Sequence, residues 1–116
     1  MTAPARKRVV IIGGGASGLM AAGVVAGHGY AVTVLERNRE VGRKLHISGK
    51  GRCNITNDTD IPGLLKHIPG NPNFLRTAFY RFTPQDVMAF FTNRGVPVKT
   101  ERGGRVFPES DDADDI

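Results

Sequence analysis

The apolar positions of the chain fall first into two short runs, "RVVII" at residues 8–12 and "YAVTVLER" at residues 30–37, separated by "GGGASGLMAAGVVAGHG". A β-branched run with no polar alternation is the pattern of a strand buried on both faces of a parallel sheet. The glycine-rich stretch between the runs reads as a tight turn followed by a helix. Together they predict one βαβ unit and an α/β fold. Downstream the pattern changes. "DTDIPGLLKHIPGNPN" is loop-like with one short helical turn, because Pro62, Pro69 and Pro72 interrupt any longer periodicity. "FLRTAFYRF" predicts a short helix. "TPQDVMAFFTNRG" predicts a better signalled one, with Thr83 as N-cap, Pro84 at the first helical position, Asp86 at the third and Gly95 past the end. Val87, Phe90 and Phe91 form its apolar face and are read as packing residues. "VPVKTERGGRVFP" predicts a hairpin across Arg102, Gly103 and Gly104, and "SDDADDI" a helix start capped by Ser110.

The beginning of the chain imitates a targeting or membrane segment, with "ARKR" ahead of an apolar stretch. Seven glycines between Gly13 and Gly29 argue against it, since each disfavours a helix interior by about 1 kcal/mol. No membrane association is expected.

The glycines have a better explanation. Gly13, Gly15 and Gly18 fit G-x-G-x-x-G directly after a predicted strand, and Glu36 ends the second strand eighteen residues after the last of them. In a dinucleotide-binding turn the first glycine makes the bend, the second lets a pyrophosphate approach the backbone and the third lets helix and strand pack closely. Backbone N–H groups around Ala16 and Ser17 would face the phosphates at the helix N-terminus. Glu36 is placed to accept hydrogen bonds from a ribose diol. An acid there disfavours a 2′-phosphate, so FAD or NAD fits better than NADP.

Charge adds a constraint without deciding the partner. Sixteen Lys and Arg face eleven Asp and Glu, and four of the acids lie in the last seven residues, so residues 1–110 carry sixteen minus seven, or +9. Such a body suits anionic ligands, nucleic acid among them. A single cysteine excludes an internal disulfide and a CxxC pair, and a cytoplasmic setting is expected. His28, His46 and His67 lack the spacing of a metal-binding helix face, and no metal is expected.

"GRKLHISGKGRCNITN", residues 42–57, gathers five basic side chains, three glycines and the sole cysteine. Lys44, Lys50 and Arg52 are suited to neutralise a pyrophosphate, while glycines permit close backbone approach. Arg43 stands where many two-dinucleotide flavoproteins have the second glycine of a pair. The runs "VVIIGGGASGLMAA", "ERNREVGRKLHISGKGRCNITN" and "GRVFPESDDADDI" resemble a bacterial family of NAD(P)/FAD-dependent oxidoreductases, the aminoacetone oxidase family FAD-binding enzymes, which include bile-acid reductase-like flavoproteins. The resemblance spans nearly the whole chain. It implies a non-covalent FAD in a Rossmann-type domain with a second domain inserted, and NAD(P)H as co-substrate.

On matching positions the resemblance assigns Gly13, Gly15, Ala16, Ser17 and Gly18 to the pyrophosphate, and Glu36 and Arg37 to the adenosine. It carries Arg43, Lys44, Ser48, Gly49, Arg52 and Asn54 along the cofactor toward the flavin. Lys50, where the pattern favours a small residue, is left out. Cys53 has two readings, a thiol activated by its cationic neighbours or a packed side chain, and packing is favoured because no partner cysteine is present.

Only two clear parallel strands are present, fewer than a doubly wound domain needs. Residues 1–116 are therefore read as the N-terminal part of an FAD-binding domain, with the catalytic residues elsewhere. The segment alone is expected to be inactive and not to retain FAD. Two alternatives stay open: an FAD-dependent RNA-modifying protein, with the basic body as its footprint, and a non-catalytic dinucleotide-binding module. The expected partner is a small-molecule substrate rather than nucleic acid.

Overall fold

A computed structural model describes residues 5–116. The chain divides into two compact units, residues 1–46 and 47–116.

The first unit is the predicted βαβ. Strand β1 (Arg8–Ile12) pairs in parallel with β2 (Ala31–Leu35), with Arg8 opposite Ala31 and Ile12 opposite Leu35. Helix α1 (Ala16–Gly27) connects them and packs on both strands. Helix α2 (Arg43–Ile47) begins at the end of the unit. The expectation that "RVVII" is buried on both faces is corrected. Val9 and Ile11 are half-buried, whereas Val10 is 59% and Ile12 88% exposed. A parallel strand is buried twice only when elements cover both faces, and among the described residues β1 pairs with β2 and packs chiefly on α1. Between residues 5 and 46 the only buried positions are Gly14 and Gly42. This unit has its tightest packing where the backbone turns.

The second unit holds the apolar core. Cys53, Ile61, Leu65, Val106, Phe107 and Ala113 are buried. Its sheet has the order β3-β5-β4 and is antiparallel throughout: β3 (Thr56–Asn57), β4 (Val98–Thr100) and β5 (Arg105–Pro108). The predicted hairpin is β4–β5, closed by Gly104 N–H donating to the Glu101 carbonyl at 3.0 Å. The third strand, β3, was not expected from its two residues; it forms because "ITN" lies against β5, with Ile55 N–H donating to the Val106 carbonyl at 2.9 Å.

Three short helices complete the unit: α3 (Ile61–Leu65), α4 (Arg76–Arg81) and α5 (Pro84–Thr92). Helix α5 starts as its sequence dictates. The Thr83 hydroxyl accepts from Asp86 N–H while the Asp86 side chain accepts from Thr83 N–H, a reciprocal capping box. The end of the chain departs from expectation, for Asp112 rather than Ser110 caps a single 3-10 turn at Ala113–Asp115. Asp111 has φ +59 and so breaks any helical path from Ser110, whose hydroxyl accepts from Asp112 N–H instead.

Candidate dinucleotide site

The glycine turn after β1 is built from three different constraints. Gly13 leaves the strand with φ +100, a conformation L side chains rarely adopt, and donates its N–H to the Leu35 carbonyl at 2.8 Å. Gly18, in the first turn of α1, faces Gly13 so closely that a Cβ would land on the Gly13 carbonyl oxygen. Gly15 is the N-cap of α1, in extended conformation with no side-chain cap, and a Cβ placed there would meet nothing within 4 Å. The first turn of α1 therefore presents backbone donors toward open space across a residue without a side chain, which is what a phosphate requires. Ala16 and Ser17, the first residues of the helix, are exposed at this end. The residues present fit a pyrophosphate.

Gly14 is the position the motif leaves free, and the sequence reading passed over it. Its N–H donates to Glu36 Oε2 at 2.8 Å, and its carbonyl accepts from Gly42 N–H at 2.7 Å. A Cβ on Gly14 would stand 2.7 Å from Val41 Cγ1 and 3.2 Å from Glu36 Oε2. The run of three consecutive glycines was the available signal, since G-x-G-x-x-G explains only two of them. The bond to Gly42 sets the start of α2 against the turn, which brings Arg43 and Lys44, both exposed, to the same region of the unit.

Glu36 lies at the end of β2, where the sequence places it. Asn38 donates to Oε1 through its N–H at 2.9 Å and through Nδ2 at 3.1 Å. The backbone N–H groups of Asn38, then Gly14 and Arg37, hold the carboxyl below its ordinary value, against a smaller opposing effect of burial. It stays an ionised acceptor. Arg37 is exposed beside it.

The remaining predicted residues belong to the second unit, in a loop with strained geometry. Gly49 has φ +57, and a Cβ there would stand 2.9 Å from both Asn54 N and Phe107 Cε1. Lys50 and Cys53, neither a glycine, have φ of +59 and +60. Cys53 N–H donates to the Ser48 carbonyl at 3.1 Å, closing the loop. Asn54 Nδ2 donates to the Thr56 carbonyl at 2.9 Å and the Val106 carbonyl at 3.1 Å, tying the loop to β5.

Arg52 is more engaged than the sequence suggests. Its Nη1 donates to Glu101 Oε1 at 2.8 Å and Oε2 at 3.0 Å and reaches Asp111 at 3.4 Å, while the guanidinium lies 3.9 Å from the centre of the Phe107 ring. Asp111 also accepts from Lys99 at 2.8 Å. These carboxylates raise the Arg52 pKa and offset its charge within the unit. Cys53 is 2% exposed, and burial pushes its thiol up, opposed by a hydrogen bond with Ser48. This is the packed environment, not that of an activated thiol.

The sequence-predicted residues thus fall into two sets, Gly13 to Lys44 in the first unit and Ser48 to Asn54 in the second, each organised by its own internal bonds. Among the described residues no group of His, Cys, Asp and Glu is arranged to hold a metal, and no helix is long and apolar enough to cross a membrane. Comparison with known families decides the class: the HI0933-like protein Rossmann domain matches residues 7–116. The chain belongs to that family. The resemblance to flavin-dependent oxidoreductases drawn from the signature is borne out at this level.

Among curated proteins, this HI0933-like Rossmann domain is 38% identical over 109 residues to a 3-dehydro-bile acid delta(4,6)-reductase of Clostridium scindens, covering 92% of the chain and 26% of that protein. It is 35% identical over 98 residues to a ribosomal RNA dihydrouridine synthase of Haemophilus influenzae, covering 84% of the chain and 24% of that protein. A ribosomal RNA dihydrouridine synthase of Escherichia coli matches at 33% over 102 residues, 88% of the chain and 25% of that protein. The chain spans about a quarter of the length of these relatives.

Proposed function

We propose that this domain binds FAD by its ADP portion and serves an oxidoreductase that takes hydride from NAD(P)H and delivers it to an organic small molecule. The observation that carries the reading is the N-terminus of α1, where Gly15 opens the backbone donors to space while Gly14 and Gly18 are packed from behind. Gly13, Gly15, Ala16, Ser17 and Gly18 would hold the pyrophosphate, Glu36 and Arg37 the adenosine, and Arg43 and Lys44 would offset the phosphate charge. Ser48, Gly49, Arg52 and Asn54 would continue along the cofactor, with Arg52 acting by pinning its loop to Glu101 and Phe107. Bound FAD supplies the redox chemistry, and the protein supplies binding and orientation.

Relatives named for a bile-acid reductase and for ribosomal RNA dihydrouridine synthases match this same segment at similar identity. That supports assigning to it what such enzymes share, the cofactor, and not what separates them. The second reading, an RNA-modifying flavoprotein, is favoured by those two synthases and by the +9 body of residues 1–110.

The test is calorimetric titration of ADP, FAD and a ribosomal RNA fragment into the chain, with the visible spectrum of the polypeptide that carries this sequence recorded before and after anaerobic NADH or NADPH. Weak but saturable ADP and FAD binding by the chain, too weak to hold FAD through gel filtration, and a flavin band of the longer polypeptide that bleaches with nicotinamide are expected. RNA binding that falls steeply with salt would move the second reading forward, and no nucleotide binding would end the first.

A further inference from the structure

The second unit carries a pocket of about 530 Å³, bordered by β3 and by helices α3, α4 and α5. Small-molecule sites run from about 300 to 1,000 Å³. Phe79, Phe82 and Val87 give the pocket apolar surface, and Asn54, Thr56 and Asn57 give it a polar border without charge. None of its lining residues is ionisable. That is a local property, because the same unit pairs Arg52 with Glu101 and Lys99 with Asp111, and another of its clefts, about 430 Å³, is bordered by Asp58 and His67.

The border is held in place. Asn54 Nδ2 is committed to the carbonyls of Thr56 and Val106, which fixes the carboxamide against β3 and β5. Phe82 is 41% exposed, so an apolar occupant has aromatic surface to take out of water. An ion would give up hydration there and find no opposite charge in return. We propose that this pocket is a binding site for a neutral, largely apolar small molecule, and that it receives the organic substrate of the domain. The inference rests on the small-molecule reading above and deepens it by giving the substrate class. Asn54 joins the two, since it lines the pocket and is the last of the residues proposed to continue along the cofactor.

The experiment follows the amide signals of the 116-residue chain by nuclear magnetic resonance as 2-acetylnaphthalene, a neutral ketone, or 2-naphthoate, its carboxylate counterpart, is added. A parallel titration uses ADP. The ketone is expected to shift the signals of Thr56 and Val87 and to bind about tenfold or more tighter than naphthoate, although the net charge of +5 favours the anion. Ala78→Trp, at an exposed position of α4 on the pocket border, should abolish the ketone response and leave the ADP response unchanged. Naphthoate binding as tightly as the ketone, an undiminished response in Ala78→Trp, or shifts centred on the exposed Phe74 and Tyr80 instead would each overturn the proposal, as would no ketone binding. If the variant fails to fold, the position of the wild-type shifts decides alone. Ketone binding at this pocket by a chain that takes neither ADP nor FAD overturns the dinucleotide reading and leaves the pocket standing; ADP binding without ketone binding does the reverse.

Discussion

At the scale of single residues, the glycines of the turn separate into those the fold needs and one the ligand needs. Gly18 has no room for a methyl, because its Cβ would fall on the Gly13 carbonyl oxygen. Gly15 has room and a negative φ of −82. Alanine scanning with thermal melts and ADP titration should therefore give two outcomes. Gly18→Ala loses about 1–3 kcal/mol of stability, the cost of forcing atoms into a packed backbone. Gly15→Ala stays within about 1 kcal/mol of wild type in stability and yet loses ADP affinity by about tenfold or more, because its methyl stands where a phosphate must approach. Equal loss of affinity and stability at both positions would contradict the division.

Elements were legible where local chemistry alone decides them. Helix α5 begins at Thr83 and Pro84 as its residues dictate, because a capping box is closed entirely within four consecutive residues. Thr83→Ala should cost about 1 kcal/mol in denaturant melts, the usual loss for an N-cap hydroxyl. Asp86, held below its ordinary value of 3.8 by the Thr83 donors, keeps its part of the box above that pH and loses it as the pH falls further. What the sequence concealed depends on distant partners. Two residues, Thr56 and Asn57, become a strand only because β5 lies alongside them. The cap of the last turn moved from Ser110 to Asp112 because Asp111 is drawn to Lys99 and Arg52, and neither partner is visible from "SDD". In the candidate site the motif positions were readable, but the bonds of Gly14 to Glu36 and to Gly42 across the turn were not, nor was the local pairing of Asn38 with Glu36.

Across the whole molecule, apolar burial is uneven. Residues 5–46 bury only two glycines, whereas the second unit encloses Cys53 among Ile61, Leu65, Val106 and Phe107. The one thiol of the chain, 2% exposed, sits in that second core. A colorimetric disulfide reagent can reach it only when the loop and sheet around it part, so its reaction is a stopwatch for those openings and is blind to fraying of β1 and α1. Thr83→Ala lies in the same unit as the thiol. If α5 belongs to the opening that frees the thiol, the variant should quicken labelling in native buffer about fivefold, the factor that 1 kcal/mol commands. An unchanged rate would mean that the loop opens by itself, with α5 still folded. The cysteine that the sequence already marks as a packed side chain thus serves as an internal timekeeper for the part of the molecule that encloses it.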